Sequence, residues 1–180
     1  MKEQNIKNDS LFQNISSTGE ENFDNYRNIK SEADNKIIII KSRYHDEITS
    51  SIVFDYINFL LTNYKGYVID KFNISVIDVS GCFEIPLMIK MSIEKYHPIA
   101  VLATGCIIKG DTKHDEYLSS AVINAISKLS LDYQTIILNG ILTTDNFQQA
   151  IDRAGTKMSL GSNLSLTTME SLVSLAPFKL

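Results

Sequence analysis

From Lys36 onward, short apolar runs alternate with longer stretches in which apolar residues recur every third or fourth position. The run Lys36–Lys41 (KIIIIK) is β-branched, too short for a helix and apolar at odd and even positions alike. That is the pattern of a strand buried on both faces of a parallel sheet. Asp46 is placed to cap the next helix, in which Ile48, Ile52, Tyr56, Ile57, Leu60 and Tyr64 trace one face as far as Gly66. Residues 73–79 read as a second strand. Pro86 suits the first turn of a helix running to about Tyr96. Pro98 precedes a third strand, 99–104, which resumes or extends through Ile107 and Ile108. Tyr117, Leu118, Ala121, Val122, Ala125, Ile126 and Leu129 draw one apolar helical face, and 135–138 is a fourth strand. Asp145 with Gln148 reads as a capping box for a helix ending near Gly155. A last amphipathic helix covers about 164–175 and is stopped by Pro177. This order predicts four parallel strands with helices on both faces and right-handed crossovers, a three-layer α/β sandwich.

Length and composition agree with one such domain. The chain has 180 residues, 44% hydrophobic and 21% charged, enough to bury a core without metal or disulfide staples. The net charge of −4 gives no basic footprint for nucleic acid. Cys82 and Cys106 stand alone in their neighbourhoods, so neither a structural zinc site nor a disulfide framework is expected, and the metal expectation is none. The longest apolar stretch, 99–108, is too short to span a bilayer, so no membrane partner is expected.

Residues 1–35 differ from the rest. Nine apolar residues and seven asparagines accompany four lysines and arginines and seven acids. Such a segment buries too little to offset its ordering entropy and is read as a disordered arm, or one that orders on a partner subunit. It lacks the apolar core of a signal peptide, and its acids argue against a transit peptide, so a cytoplasmic location is expected. The domain division is therefore 1–35 for the arm and 36–180 for the folded unit.

In open α/β sheets, ligands collect beyond the carboxyl ends of the strands. The segments there carry Tyr44 and His45, then 81–84 (GCFE), then 107–114 (IIKGDTKH), then 139–144 (NGILTT). No GxGxxG or Walker loop is present, so a dinucleotide or nucleoside triphosphate is not the evident ligand.

These segments carry a resemblance. Residues 81–86 (GCFEIP) resemble the G-A-F-E-I-P motif of the lumazine synthases, and 105–117 (GCIIKGDTKHDEY) resemble their G-x-V-I-[RK]-G-x-T-x-H-[FY]-[DE]-Y segment. Residues 140–146 (GILTTDN), with Gln149, Ala150, Arg153, Ala154 and Gly155, are similar to a third motif, G-[IV]-L-T-T-[DE]-N…Q-A…R-[AS]-G. Three ordered motifs cover about residues 36–176. The resemblance implies a flavodoxin-like fold and the condensation of 5-amino-6-ribitylamino-pyrimidinedione with 3,4-dihydroxy-2-butanone 4-phosphate. Products are 6,7-dimethyl-8-ribityllumazine, phosphate and water, and no cofactor is used.

It also implies roles. Asp111 and Thr112, before a helix N-terminus, with the Arg153 guanidinium, would bind phosphate. His114 would shuttle protons, since imidazole titrates near neutrality. Tyr44 would stack on the pyrimidine, while Phe83 and Glu84 would hold it and its ribityl hydroxyls. Cys82, Cys106, Ile107 and Ile108 would line the slot. Asn139 stands where many members carry an aromatic from the adjacent subunit, and Leu160 or Gly161 stands where many carry a lysine. For Arg153 the bland alternative is an ion pair on its own helix, and for Phe83 a place in the core. His97 reads as solvent-facing and His45 as a weaker candidate for ligand contact. Members assemble as pentamers or multiples of them, with the Asn139 and Arg153 side of one subunit facing the His114 side of the next. Two other readings stand beside the synthase: a flavin-binding or shell-forming homologue with little catalysis, and a cysteine hydrolase built on Cys82 and His114.

Overall fold

The computed structural model describes residues 3–5, 35–64 and 73–178. The rest of the expected arm, and the expected helix stop at Gly66, lie outside them. Strand β1 (Glu3–Asn5) is followed by β2 (Lys36–Ser42), α1 (Asp46–Asn63), β3 (Asn73–Val79) and a 3₁₀ turn, Cys82–Glu84. Then come α2 (Ile85–Tyr96), β4 (Ala100–Ile108), α3 (His114–Tyr133) and β5 (Ile136–Thr144). The short α4 (Phe147–Ile151) passes into a π turn, Asp152–Thr156, before α5 (Leu160–Leu175) and a 3₁₀ turn, Ala176–Phe178.

The sheet order is β1-β3-β2-β4-β5, parallel throughout except for β1, which pairs antiparallel with β3 through Glu3↔Ile77. The four predicted strands thus form the parallel sheet of a three-layer, flavodoxin-like α/β fold, and β1 adds to its edge. Helices on both faces explain the isoleucine run. Ile37 and Ile39 enter one core with α1 and α5, Ile38 and Ile40 enter the other with α2 and α3, and all four are fully buried. Each such side chain contributes about 1.5–3 kcal/mol on burial. Tyr56 is also fully buried in α1. Thr168 donates its hydroxyl proton to the Leu164 carbonyl, so the Tyr56 hydroxyl donates to Thr168 at 2.9 Å, tying α1 to α5.

Several boundaries differ from expectation. Asp46 is the first residue of α1, not its cap; the cap position is His45, with φ 57°, and the Asp46 carboxylate pairs with Lys41. The box expected at Asp145 and Gln148 is displaced by one residue. Asn146 accepts from the Gln149 amide at 2.9 Å, and the Gln149 side chain accepts from the Asp145 amide at 2.9 Å. Strand β5 does not end at Leu138 but continues to Thr144, because its backbone pairs with β4 as far as Ile108↔Thr144. Helix α5 begins four residues earlier than expected, at Leu160. On α3, Val122 and Ile126 are buried, whereas Tyr117 and Ala121 of the predicted apolar face are exposed. His97 is exposed, as expected.

Candidate active site

The carboxyl ends of β2, β3 and β4 open on one cavity of about 640 Å³. The turn after β2 supplies Tyr44 and His45. The 3₁₀ turn after β3 supplies Cys82, Phe83 and Glu84, and β4 contributes Cys106, Ile107 and Ile108 to the same lining. Gly105 lets the 3₁₀ turn settle on β4: a Cβ there would lie 2.5 Å from the Cys82 Sγ. The Glu84 carboxylate accepts from the Gly81 amide at 2.8 Å, which closes the turn and leaves Phe83 outward, 69% exposed. Tyr44 is 67% exposed, so two rings face the opening rather than the core. A buried place for Phe83 is thereby ruled out.

On the far side, the loop after β4 brings Lys109, Gly110 and Thr112 to the cavity, and α3 begins there with His114. The α3 N-terminus has no side-chain cap at Lys113. Backbone bonds tie the loop at its ends, Lys109 N–H to Thr144 at 2.8 Å and Tyr117 N–H to Lys113 at 3.2 Å. Two longer side-chain bonds of 3.4 Å join Gly110 N–H to Asp115 and His114 N–H to the Thr112 hydroxyl. Uncapped amides at the start of a 20-residue helix can accept an anion. The His114 side chain is exposed and has no hydrogen-bond or ion-pair partner among the described residues.

Burial pushes the Cys106 thiol up to about 11, with the neighbouring Cys82 adding to the effect. The Cys82 thiol is likewise raised by burial. A nucleophilic cysteine needs the opposite shift. The cysteine hydrolase reading therefore loses its nucleophile, and both thiols serve as small apolar lining.

Of the expected site residues, Asp111, Asn139 and Arg153 do not line this cavity. Asp111 is exposed on the loop beside it. Asn139 is exposed on the outermost strand β5, where its side chain accepts from the Ile141 amide at 3.1 Å. Arg153 is exposed on the π turn and forms no ion pair among the described residues; the adjacent Asp152 pairs with Lys157 instead. The bland alternative, an ion pair of Arg153 on its own helix, is not found among the described residues.

The sequence reading missed Phe147. It lines the cavity from the first turn of α4, with its ring 5.9 Å from that of His45, which in turn lies 4.6 Å from Tyr44. His45 is thus a cavity residue, and Lys109 is another. A large aromatic directly after a cap was the available signal for Phe147.

The family model of 6,7-dimethyl-8-ribityllumazine synthase matches residues 34–179. The chain belongs to that family. Lumazine synthases are transferase-type enzymes of riboflavin biosynthesis that bind small-molecule substrates and oligomerise, and this chain takes its general place with them. Among the described residues no helix is long and apolar enough to cross a membrane, and no three metal-binding side chains are grouped to hold an ion. Leu160 and Gly161, one of which the resemblance sets where many members carry a lysine, open α5. Leu160 packs against the α1–α5 core. At Gly161 a Cβ would lie 2.3 Å from the Ile52 carbonyl oxygen and 2.7 Å from the Tyr56 nitrogen, so α5 crosses α1 backbone to backbone.

Proposed function

We propose that the protein condenses 5-amino-6-ribitylamino-pyrimidinedione with 3,4-dihydroxy-2-butanone 4-phosphate to give 6,7-dimethyl-8-ribityllumazine, phosphate and water. The observation that carries this reading is the meeting, in one cavity, of outward aromatic rings, a carboxylate, an unpaired histidine and an uncapped helix N-terminus. Tyr44 and Phe83 offer flat apolar faces to the heterocycle, and Glu84 accepts from ribityl hydroxyls with the oxygen not bound to Gly81. The amides around Thr112 take the phosphate, with Asp111 contributing its backbone. The pyrimidine amine attacks the ketone and water leaves to form an imine; phosphate then departs, and ring closure expels water. Each stage moves a proton, and His114 is placed to carry it.

Arg153 and Asn139 act, in this reading, at the cavity of the neighbouring subunit in a pentamer or a multiple of one. Their exposure, and the absence of an ion pair to Arg153 among the described residues, support it. Residues 36–180 form the catalytic unit, 1–35 are an arm whose Glu3–Asn5 joins the edge of its sheet, and no cofactor takes part. The two free thiols suit a reducing compartment such as the cytoplasm.

A second reading, a binding or shell-forming homologue with little catalysis, is favoured by the Leu160 packing and the self-bonded Asn139. Mixing both substrates with the purified oligomer and following lumazine absorbance and fluorescence separates the two. Turnover without added cofactor is expected. Lumazine binding by a folded, assembled protein that forms no product would establish the second reading instead.

A further inference from the structure

Lys41 takes no part in the chemistry above, yet among the described residues it is the one charged side chain that is buried. It sits near the end of β2, and its ammonium pairs with Asp46 and with Asp78 at 3.3 Å, and donates to the Ser50 hydroxyl at 3.3 Å. A buried ammonium is tolerated only when paired in this way. An apolar residue would fill the position without that demand, so the grip itself asks for a use.

The use lies one residue from Asp46. His45 adopts the left-handed conformation, φ 57° and ψ 52°, which costs free energy relative to glycine although histidine enters it more readily than most residues. Its carbonyl accepts from the Ile48 and Thr49 amides at 3.0 and 3.1 Å, and the Thr49 hydroxyl donates to the Ser42 carbonyl at 2.8 Å. The Lys41–Asp46 pair closes the turn from the side of the sheet. That contact also lowers the Asp46 carboxyl below its ordinary range. The clamped turn presents Tyr44 and His45 to the cavity, with the His45 ring within contact distance of both Tyr44 and Phe147.

We propose that Lys41 is a positioning residue: by holding Asp46 it keeps His45 left-handed and so fixes the row of rings, Tyr44, His45 and Phe147, that receives the flat ligand. The proposal rests on the function proposed above only for the identity of that ligand. Four proteins test it: the natural chain, Lys41→Met, His45→Gly and the double variant. Two readouts are taken, hydrogen exchange of the Ile48 and Thr49 amides without ligand, and fluorescence titration with 6,7-dimethyl-8-ribityllumazine.

If the clamped turn falls to about a tenth of the population in Lys41→Met, lumazine affinity falls about tenfold. The two amides then exchange correspondingly faster. Glycine enters the left-handed region without strain, so in the His45→Gly background the same Lys41 change should cost less than about twofold in either readout. A merely structural lysine would cost the same in both backgrounds, and that result, or unchanged exchange and affinity in Lys41→Met, overturns the proposal. Asp46→Asn, at an exposed carboxylate, gives the same comparison if Lys41→Met does not fold. If the natural chain binds no lumazine, the functional reading falls, while the exchange cycle alone still decides for or against Lys41.

Discussion

The turn after β2 and the loop after β4 border the same cavity but are held in opposite ways. In the first, a buried lysine, two carboxylates and a left-handed histidine are tied by several short bonds. In the second, residues 109–114 are all exposed. Backbone bonds hold its two ends, Lys109 N–H to Thr144 at 2.8 Å and Tyr117 N–H to Lys113 at 3.2 Å, while the side-chain bonds from Thr112 and Asp115 are long, 3.4 Å each. A rigid wall of rings suits a flat heterocycle, whose orientation must be set before reaction. Loosely satisfied amides suit an anion that arrives with one substrate and leaves as a product, because the ligand can replace weak internal bonds at little cost.

The largest effect should come from the group that stands free on the loose side. Replacing His114 by alanine is expected to lower kcat/KM by about a hundredfold or more, the usual weight of a general acid–base, while lumazine binding persists. Steady-state kinetics with both substrates check this, and unaltered kcat/KM would remove His114 from the mechanism. A crossed pair of variants then sharpens the contrast between the walls. Tyr44→Ala should cost about 1 kcal/mol of lumazine affinity, roughly fivefold, with inhibition by inorganic phosphate unchanged. Thr112→Pro, which removes one of the amide donors, should weaken phosphate inhibition and spare lumazine. If both variants lose both ligands in step, the division of labour is wrong.

The smallest effect concerns the thiols beneath both walls. Burial raises the Cys106 thiol, so the folded chain holds its proton where the unfolded chain releases it. The resulting stability is fully present below the ordinary thiol range of about 8.5. It is lost as pH rises toward about 11. Urea midpoints for the natural chain should hold from neutrality to the ordinary thiol range and then decline, with a shallower decline in Cys106→Ala. Parallel declines would show that another group controls alkaline stability.

Much of the sheet was legible because Ile37–Ile40 is apolar at every position, which only a two-sided burial explains. Pro86 and Pro177 fixed helix limits for a similarly local reason. Asn139, Gly140 and Thr143 do not mark a strand by local composition, and pairing with β4 carries β5 through them to Thr144. Helix α5 extends back to Leu160 because Gly161 fits the close approach to α1, a reason that lies in packing and not in local periodicity. Nothing in Glu3–Asn5 favours a strand, and β3 supplies the pairing. In the site, His114, Glu84 and both lining cysteines stood in motifs. Asn139 and Arg153 were named with them, but the structure sets both outside the cavity, on β5 and on the π turn. Lys41 gave no signal at all, because its meaning depends on Asp46 and Asp78 meeting it in space.

The crossing at Gly161 also limits what this lineage can become. With Ile52 and Tyr56 backbone atoms 2.3 and 2.7 Å from where a Cβ would stand, a lysine cannot be introduced at 161 unless the helices first part. Parting them gives up the packed seam around Tyr56 and Met169, and overpacking of this kind ordinarily costs about 1–3 kcal/mol. The nearer route, Leu160, withdraws an apolar side chain from the same seam. Placing a cationic side chain at this corner is therefore epistatic: it has to be preceded by compensating changes in α1, and no single substitution is a neutral step on the way.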